Sequence, residues 1–124
     1  MTNFPPTGGR PPRTPATYIY SSGRDAAEDY TEQVLSAVEA IPVGQVATYG
    51  DIAALIGRGG PRQVGEVMSR HGAAVPWWRV VRADGQPARG HTERALARLR
   101  EEGTPLRGDR VDLLRARISS EHAR

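Results

Sequence analysis

Glycine and proline divide this sequence into short segments, and their spacing limits the chain to short helices joined by tight turns. Pro42 and Gly44 end a first segment, and the run Gly57-Arg58-Gly59-Gly60-Pro61 separates the next two. Glycine ends helices and proline favours the first helical position, so a second helix stops at Gly57 and a third begins at Pro61. Two short helices joined by a glycine-rich turn are typical of a helix-turn-helix.

The other predicted elements follow from periodicity and capping. A first helix runs from about Ala26 to Ala40, and Thr48 and Asp51 have the spacing of a capping box ahead of the second helix. Thr92 is the expected cap of a fourth helix. The remaining signals are a Val80-Val81 strand, a hairpin-like turn at Asp84-Gly85, helix-ending residues at Gly103 and Pro105, and core residues at Val111, Leu113, Leu114 and Ile118. The predicted fold is therefore mainly α with a short β-hairpin or wing.

The third helix has an unusual outer face. Val64, Val67 and Met68 point to one side at helical spacing. The opposite side carries Arg62, Gly65, Glu66 and Ser69. A glycine inside a helix costs about 1 kcal/mol relative to alanine. This face packs poorly but suits the close approach of another molecule's backbone.

Composition narrows the possible functions. The chain has no cysteine, which excludes a disulfide scaffold, a thiolate metal site and a cysteine nucleophile. His71, His91 and His122 match no zinc-binding spacing and are expected at the surface. No nucleophile elbow and no phosphate-cradling glycine motif is present. We expect no catalytic residues, no metal and no cofactor, and hence no enzyme.

Charge and targeting signals give a broad setting. All 17 basic residues are arginine; residues 28–41 carry four acids and no arginine, whereas residues 42–91 carry six arginines against three acids. The basic part suits a polyphosphate partner. Residues 1–25, rich in proline and glycine, are predicted to be a flexible tail ahead of a domain at 26–124. The sequence has no apolar run long enough to predict a membrane span or a secretory signal. We therefore expect a cytoplasmic protein, nucleoid-associated if bacterial.

Five ordered motifs carry a resemblance to a known family. They are Val43-Gly44-Gln45-Val46-Ala47-Thr48-Tyr49-Gly50-Asp51-Ile52-Ala53, Arg62-Gln63-Val64-Gly65, Pro76-Trp77-Trp78-Arg79-Val80, Glu101-Glu102-Gly103 and Val111-Asp112-Leu113. From about Tyr30 to Ile118, the sequence resembles the alkyltransferase-like proteins, relatives of the DNA-binding domain of alkylguanine-DNA alkyltransferases. The resemblance implies a winged-helix-like helix-turn-helix domain of the alkyltransferase C-terminal type.

The resemblance also implies a function. It places Trp77 where the repair alkyltransferases have their alkyl-accepting cysteine, and tryptophan offers no nucleophile for alkyl transfer. The family binds O6-alkylguanine in duplex DNA without repairing it and signals the lesion to nucleotide excision repair. The implied partners are therefore double-stranded DNA with such a lesion and nucleotide excision repair proteins, for a protein expected to be a monomer.

The same resemblance implies roles for single residues. Arg62 would enter the base stack, Tyr49 would help rotate the nucleotide by crowding its 3′ phosphate, and Gly65 would let the third helix settle into the minor groove. The full set of implied DNA-binding residues is Thr48, Tyr49, Arg62, Gly65 and Ser69. The implied lesion pocket consists of Tyr49, Trp77, Arg79 and Arg89, where Arg79 either braces its segment or contacts DNA.

Two departures from the family change these expectations. Trp78 replaces the usual histidine, so the proton relay to a glutamate, matched here by Glu102, has no purpose. We expect Glu102 to be structural and Trp78 to serve mainly in packing. The segment from Ser69 to Val75 is shorter than in the cysteine-bearing relatives, which predicts a pocket open to bulkier alkyl groups.

Other classes of function remain open at this stage. A helix-turn-helix transcription regulator would need a dimer and a palindromic operator. A non-specific DNA-binding protein and an enzyme with unrecognised chemistry, such as a glycosylase, are further alternatives. A fourth alternative is a protein that mainly recruits partners and binds DNA weakly.

Overall fold

The computed structural model describes residues 23–119. They form helices α1 (Gly23–Glu39), α2 (Tyr49–Ile56), α3 (Pro61–His71), α4 (Thr92–Glu101) and α5 (Leu113–Ala116), and short strands β1 (Ala47–Thr48), β2 (Val80–Val81), β3 (Leu106–Arg107) and β4 (Arg110–Val111). Single 3₁₀ turns cover Gly72–Ala74 and Trp77–Arg79. The mainly helical prediction with a small hairpin is confirmed.

The described residues divide into two units within α1, one ending at Tyr30 and the other beginning at Thr31. Most of the predicted tail, residues 1–25, lies outside the described residues, as does His122. The helix α1 already begins at Gly23, three residues earlier than the predicted start at Ala26. Among the residues that the structure describes, none of the helices is long and apolar enough to span a bilayer.

The strand β1 is the centre of the small sheet. Ala47 pairs in parallel with Val80, and Thr48 with Val81. Val46, just before β1, bonds to the C-terminal segment. Its amide donates to the Ala116 carbonyl at 2.9 Å, and its carbonyl accepts from the Ile118 amide at 2.8 Å. The C-terminal segment therefore closes the domain beside β1, through contacts distant in sequence.

The strand β2 enters a hairpin-like turn at Asp84-Gly85, as predicted. One antiparallel bridge, from Val81 to Pro87, closes this turn. A second antiparallel pairing, of β3 with β4, lies further along the chain. Gly85 has φ +87°, and a Cβ there would lie 2.5 Å from the Val111 carbonyl oxygen. The close packing of this turn against β4 therefore requires glycine.

The helix-turn-helix is built by its caps. Thr48 Oγ1 accepts from the Asp51 amide and Asp51 Oδ2 accepts from the Thr48 amide, both at 3.0 Å, which confirms the predicted capping box. Arg117 donates to both carboxylate oxygens of Asp51, at 2.9 and 2.6 Å. The helix α2 ends at Gly57 in the left-handed conformation, and α3 starts at Pro61 as predicted.

Burial of Asp51 raises the pKa of its carboxyl. Hydrogen bonds from the Arg117 side chain and the Thr48 amide outweigh this effect, however, and the pKa lies below its ordinary value. The charged carboxylate therefore links the start of α2 to the C-terminal segment. This link helps to fix the position of Tyr49, the first residue of α2.

The core is aliphatic. Its largest fully buried side chains are Val34, Val38, Val46, Ile52, Val64, Val80, Val81 and Leu99. One of the predicted core residues is misplaced, because Leu114 is 95 % exposed. Its neighbour Leu113 packs against a buried cluster that consists of Val46, Val81, Leu96, Leu99, Val111 and Ala116. The short helix α5 thus turns only one leucine inward.

The start of α4 differs from the prediction. His91 occupies the cap position without a side-chain capping bond, and Thr92 is the first helical residue. The helix ends after Glu101, and Gly103 follows in the left-handed conformation with φ +74°. His91 directly precedes α4, so the loop from Arg82 to His91 leads into the first turn of this helix.

Candidate nucleic-acid interface

The helix α3 presents the outer face that its sequence predicts. Val64 and Val67 are buried, whereas Arg62 and Ser69 are exposed. Gly65 lies between them, and a Cβ built there would meet nothing within 4 Å. The protein's own packing therefore does not require a glycine at this position. Its absent side chain leaves the helix backbone open to an external partner.

A cavity of about 800 Å³ opens beside this face. It is bounded by the start of α2, the outer face of α3, the Trp77 turn, the loop after β2 and the start of α4. Its lining residues are Thr48, Tyr49, Gly50, Pro61, Arg62, Gly65, Met68, Ser69, Gly72, Ala73, Trp77, Arg82, Ala83, Ala88, Arg89, His91 and Arg94. The volume falls in the range typical of small-molecule sites, about 300–1,000 Å³.

Most of the site residues predicted from the sequence meet at this cavity. They are Thr48, Tyr49, Arg62, Gly65, Ser69, Trp77 and Arg89. Thr48 is only 6 % exposed, and its hydroxyl caps α2, so it contributes mainly by starting that helix. The Ser69 hydroxyl donates to the Glu66 carbonyl at 3.0 Å. The fold thus brings residues from four separate segments to one opening.

Tyr49 and Trp77 form the aromatic part of the lining. Burial raises the pKa of the Tyr49 phenol above its ordinary value of 10.0, and the Arg82 cation opposes this only in part. Tyr49 is therefore neutral at physiological pH and keeps a hydroxyl that can donate. Trp77 is half-buried, with part of its ring surface available to a ligand in the cavity.

Arg79 does not line the cavity, which corrects its assignment to the lesion pocket. Its Nε and Nη2 donate to Glu102 Oε1 and Oε2 at 2.9 and 2.7 Å, and its Nη1 donates to the Ile41 carbonyl at 2.9 Å. The side chains of Arg79 and Glu102 are only 12 % and 15 % exposed. Of the two roles considered for Arg79, the structure supports bracing.

Glu102 and Trp78 complete this brace. The Trp78 indole N–H donates to Glu102 Oε2 at 2.9 Å, and the Arg98 guanidinium lies 4.6 Å from the Trp78 ring centroid. Hydrogen bonds from Arg79 outweigh burial and hold the pKa of the Glu102 carboxyl below its ordinary value. Trp78 also packs against the core cluster. The structure thus confirms the structural role of Glu102 and the packing role of Trp78.

Three ionisable side chains that line the cavity were not predicted from the sequence: Arg82, His91 and Arg94. The Arg94 guanidinium carbon lies 5.4 Å from the Trp77 ring centroid, and the His91 ring lies 5.7 Å from it at a 60° tilt. His91 is exposed, as expected, but faces the cavity. No local pattern identifies these residues, because Arg94 and His91 reach Trp77 only through the packing of α4 against the Trp77 turn.

The cavity is lined by positive charge without negative charge. Four arginines line it, Arg62, Arg82, Arg89 and Arg94, and none of its lining residues is an aspartate or a glutamate. Among the described residues, no group of three or more histidine, cysteine or acidic side chains could hold a metal ion. The arrangement suits a ligand that combines a flat apolar part with negative charge, as a nucleotide does.

Comparisons with known proteins agree with this geometry. A family model described as the DNA-binding domain of 6-O-methylguanine DNA methyltransferase matches residues 29–104. The chain is 36 % identical to Alkyltransferase-like protein 1 of Schizosaccharomyces pombe over 86 residues, which are 64 % of this chain and 80 % of that protein. It is 44 % identical to the DNA base-flipping protein of Escherichia coli (strain K12) over 61 residues, 47 % of each chain. This match spans about half the length of that base-flipping protein.

A solved structure is similar as well. It is S. pombe Atl1 in complex with damaged DNA containing O6-carboxymethylguanine, with a TM-score of 0.66 and 30 % sequence identity. The similarity covers 74 % of this chain and 96 % of that one. It extends well beyond the helix-turn-helix and includes most of the described residues.

Proposed function

The chain belongs to the alkyltransferase-like proteins, within the family of the 6-O-methylguanine DNA methyltransferase DNA-binding domain, and on this premise we propose that it binds O6-alkylguanine in duplex DNA. In this proposal, the altered nucleotide is flipped out of the double helix and held in the cavity beside α3. The observation that carries the proposal is the meeting of Arg62, Tyr49 and Trp77 at one arginine-lined, carboxylate-free opening.

The outer face of α3 supports docking in the minor groove. Gly65 leaves the helix backbone uncovered there, so a DNA backbone can approach it closely. Minor-groove contacts carry little sequence information, which suits a protein that must find damage in any sequence. Arg62, exposed in the first turn of α3, would fill the space vacated by the flipped nucleotide.

Flipping a base costs a few kcal/mol, and less where the base pair is already weakened. Tyr49 lies at the cavity from the start of α2, where its neutral phenol would crowd the 3′ phosphate of the target nucleotide. Trp77 would form the apolar wall for the flipped base. Contact between a base and an aromatic side chain contributes about 1–3 kcal/mol.

Binding would proceed without alkyl transfer. The chain has no cysteine, and Trp77 stands where the resemblance places the alkyl-accepting residue. An indole is not a nucleophile of the kind that displaces an alkyl group from guanine O6. The lesion would therefore survive binding, and we infer that nucleotide excision repair proteins recognise the complex and complete the repair.

The proposed roles of Arg62, Tyr49 and Trp77 are complete within one chain, so the proposal requires no second copy. The protein would act as a monomer. This distinguishes it from a helix-turn-helix regulator that binds a palindromic operator as a dimer.

The decisive experiment is a titration with two short duplexes that differ only in one O6-methylguanine. Fluorescence anisotropy of a labelled duplex reports affinity at a fixed, near-physiological salt concentration, since phosphate contacts make affinity strongly salt-dependent. Mass spectrometry of the recovered DNA and protein then shows where the methyl group resides. We expect tighter binding of the lesion duplex with the methyl group still on guanine. Equal affinity for both duplexes, or a methylated protein, would contradict the proposal.

A further inference from the structure

Arg94 occupies an unusual position for a cation. It lies in the first turn of α4, where the helix dipole disfavours positive charge. It lines the cavity, and its guanidinium carbon is 5.4 Å from the centroid of Trp77. No described carboxylate forms an ion pair with it. The positive charge beside the Trp77 wall is therefore available to a ligand.

We propose that Arg94 makes the cavity selective for the charge of the alkyl group, favouring O6 adducts that carry a carboxylate over neutral adducts of the same size. This inference rests on the proposed function, because it concerns the lesion bound against Trp77. It goes beyond that function by naming the chemical class of adduct and the residue that selects it.

The selectivity follows from desolvation on both sides of the contact. A carboxylate that leaves water for the cavity loses hydration, and this is compensated only if a cation pairs with it. A neutral adduct in the same position would cover the Arg94 guanidinium without supplying a counter-charge, and an amide oxygen accepts a weaker hydrogen bond than a carboxylate does. The same side chain therefore favours the anionic adduct and disfavours the neutral one.

The surroundings strengthen this effect. No carboxylate lines the cavity, so no protein group competes for the Arg94 guanidinium. The positive end of α4 adds to the potential at the same point. Met68, Ala73 and Ala88 make part of the lining apolar, and electrostatic interactions are stronger beside apolar walls than in water.

A different role for Arg94 would be a contact with a DNA phosphate. The two roles have different signatures. A phosphate contact strengthens binding to every duplex equally. It also steepens the slope of log affinity against log salt concentration by about 1, the contribution of one phosphate. A contact with the adduct changes only the ratio between an anionic and a neutral lesion.

The test uses three duplexes of one sequence, containing guanine, O6-carboxymethylguanine or O6-carbamoylmethylguanine at the same position. The carbamoyl adduct matches the carboxymethyl adduct in size but carries no charge. We expect the wild-type protein to bind both lesions more tightly than guanine. We also expect about fivefold to tenfold tighter binding of the anionic lesion, the difference between a charge-assisted and a neutral hydrogen bond.

Three variants test whether Arg94 causes this difference in affinity between the two lesions. Arg94→Gln is expected to bring the ratio of the affinities for the two lesions close to one. Glutamine is well tolerated at this exposed helix position. Arg94→Lys, which keeps the charge, is expected to retain part of the ratio. Arg100→Gln makes the same change on α4 outside the cavity and should leave the ratio unchanged.

The failure of this inference is distinguishable from the failure of the proposed function. Equal binding of both lesions, each tighter than guanine, overturns the role of Arg94 and leaves lesion recognition intact. A ratio that survives in Arg94→Gln, or a uniform loss across all three duplexes, also overturns it. Equal affinity for all three duplexes in the wild-type protein overturns the proposed function as well.

Discussion

The Trp78 indole N–H and the Arg79 guanidinium both donate to the carboxylate of Glu102, at distances of 2.7–2.9 Å. Trp78 and Arg79 directly follow Trp77, and Glu102 directly follows α4. One carboxylate thus ties the end of α4 to the turn that carries the aromatic wall of the cavity. The Trp78 ring in turn meets the Trp77 ring edge-on, with centroids 5.7 Å apart and planes at 84°.

Replacing Glu102 with glutamine should destabilise the fold, because Arg79 would keep its charge and lose its counter-ion. We expect the free energy of unfolding at neutral pH to fall by about 1.5–3 kcal/mol, the range for hydrogen bonds to charged groups. Urea denaturation measures the change. The neighbouring, exposed Glu101→Gln is the matched control and should alter stability by less than about 0.5 kcal/mol. Equal effects of the two substitutions would refute the brace.

The same carboxylate predicts how stability depends on pH. The pKa of Glu102 in the folded protein lies below its ordinary value of 4.5, so its charged form stabilises the folded state above that pH. This contribution is lost as the pH falls through the depressed pKa. Between pH 6 and pH 3, the wild-type protein should lose stability more steeply than Glu102→Gln. The variant should retain some dependence, because the pKa of Asp51 is also lowered. Parallel curves would exclude the role of Glu102.

Gly65→Ala should separate stability from binding. Nothing lies within 4 Å of the added Cβ, so alanine should stabilise α3 by up to about 1 kcal/mol. The same methyl group would stand on the face that meets DNA and should weaken binding to damaged and undamaged duplexes alike. Thermal denaturation and duplex titration measure the two effects. A stabilised variant with undiminished DNA affinity would show that α3 does not approach the backbone closely.

Arg62→Ala should lower the affinity for lesion-containing DNA by about 1–3 kcal/mol, since the vacated space in the base stack would stay unfilled. Arg62 is exposed, so the free energy of unfolding should change by less than about 0.5 kcal/mol. Arg70→Ala, at the other end of α3 and outside the cavity lining, is the control for lost charge. If both variants lose the same affinity, Arg62 contributes only general electrostatic attraction.

Trp77→Ala should reduce the preference for the lesion more than it reduces DNA binding itself. The expected loss of preference is about 1–3 kcal/mol, the contribution of one base–aromatic contact. Trp77→Phe should restore part of it, because a smaller aromatic face remains. Titration of each variant with the damaged and undamaged duplexes gives the ratio directly. An unchanged ratio in Trp77→Ala would remove Trp77 from the lesion wall.

Local signals in the sequence predicted the helix-turn-helix well. The capping box of Thr48 and Asp51, the end of α2 at Gly57 and the start of α3 at Pro61 each depend on neighbours a few residues away. The outer face of α3 follows from helical periodicity alone. Tyr49, Arg62, Trp77 and Arg89, which line the cavity, were assigned to the site through the family resemblance, which supplied long-range information that single positions lack.

The errors arose where distant segments meet. The strand Val80–Val81 also pairs in parallel with Ala47–Thr48, more than thirty positions away, and no local signal predicted this partner. The sequence did not decide between two roles for Arg79, because its partner Glu102 lies 23 residues further along the chain, after α4. Arg94 reaches Trp77 only through the fold. Periodicity and turn chemistry carry no information about such contacts.

In the proposed function, the pairing of β1 with β2 has a consequence for how fast the protein searches DNA for damage. The strand β1 leads directly into Tyr49, and β2 directly follows the Trp77 turn, so one short ladder sets the spacing between the two aromatic side chains before any DNA arrives. A site formed in advance needs no rearrangement of the protein at each encounter. The residence time at each base pair would then be governed by how readily that pair opens. Intact pairs would be released quickly, and weakened pairs would be retained.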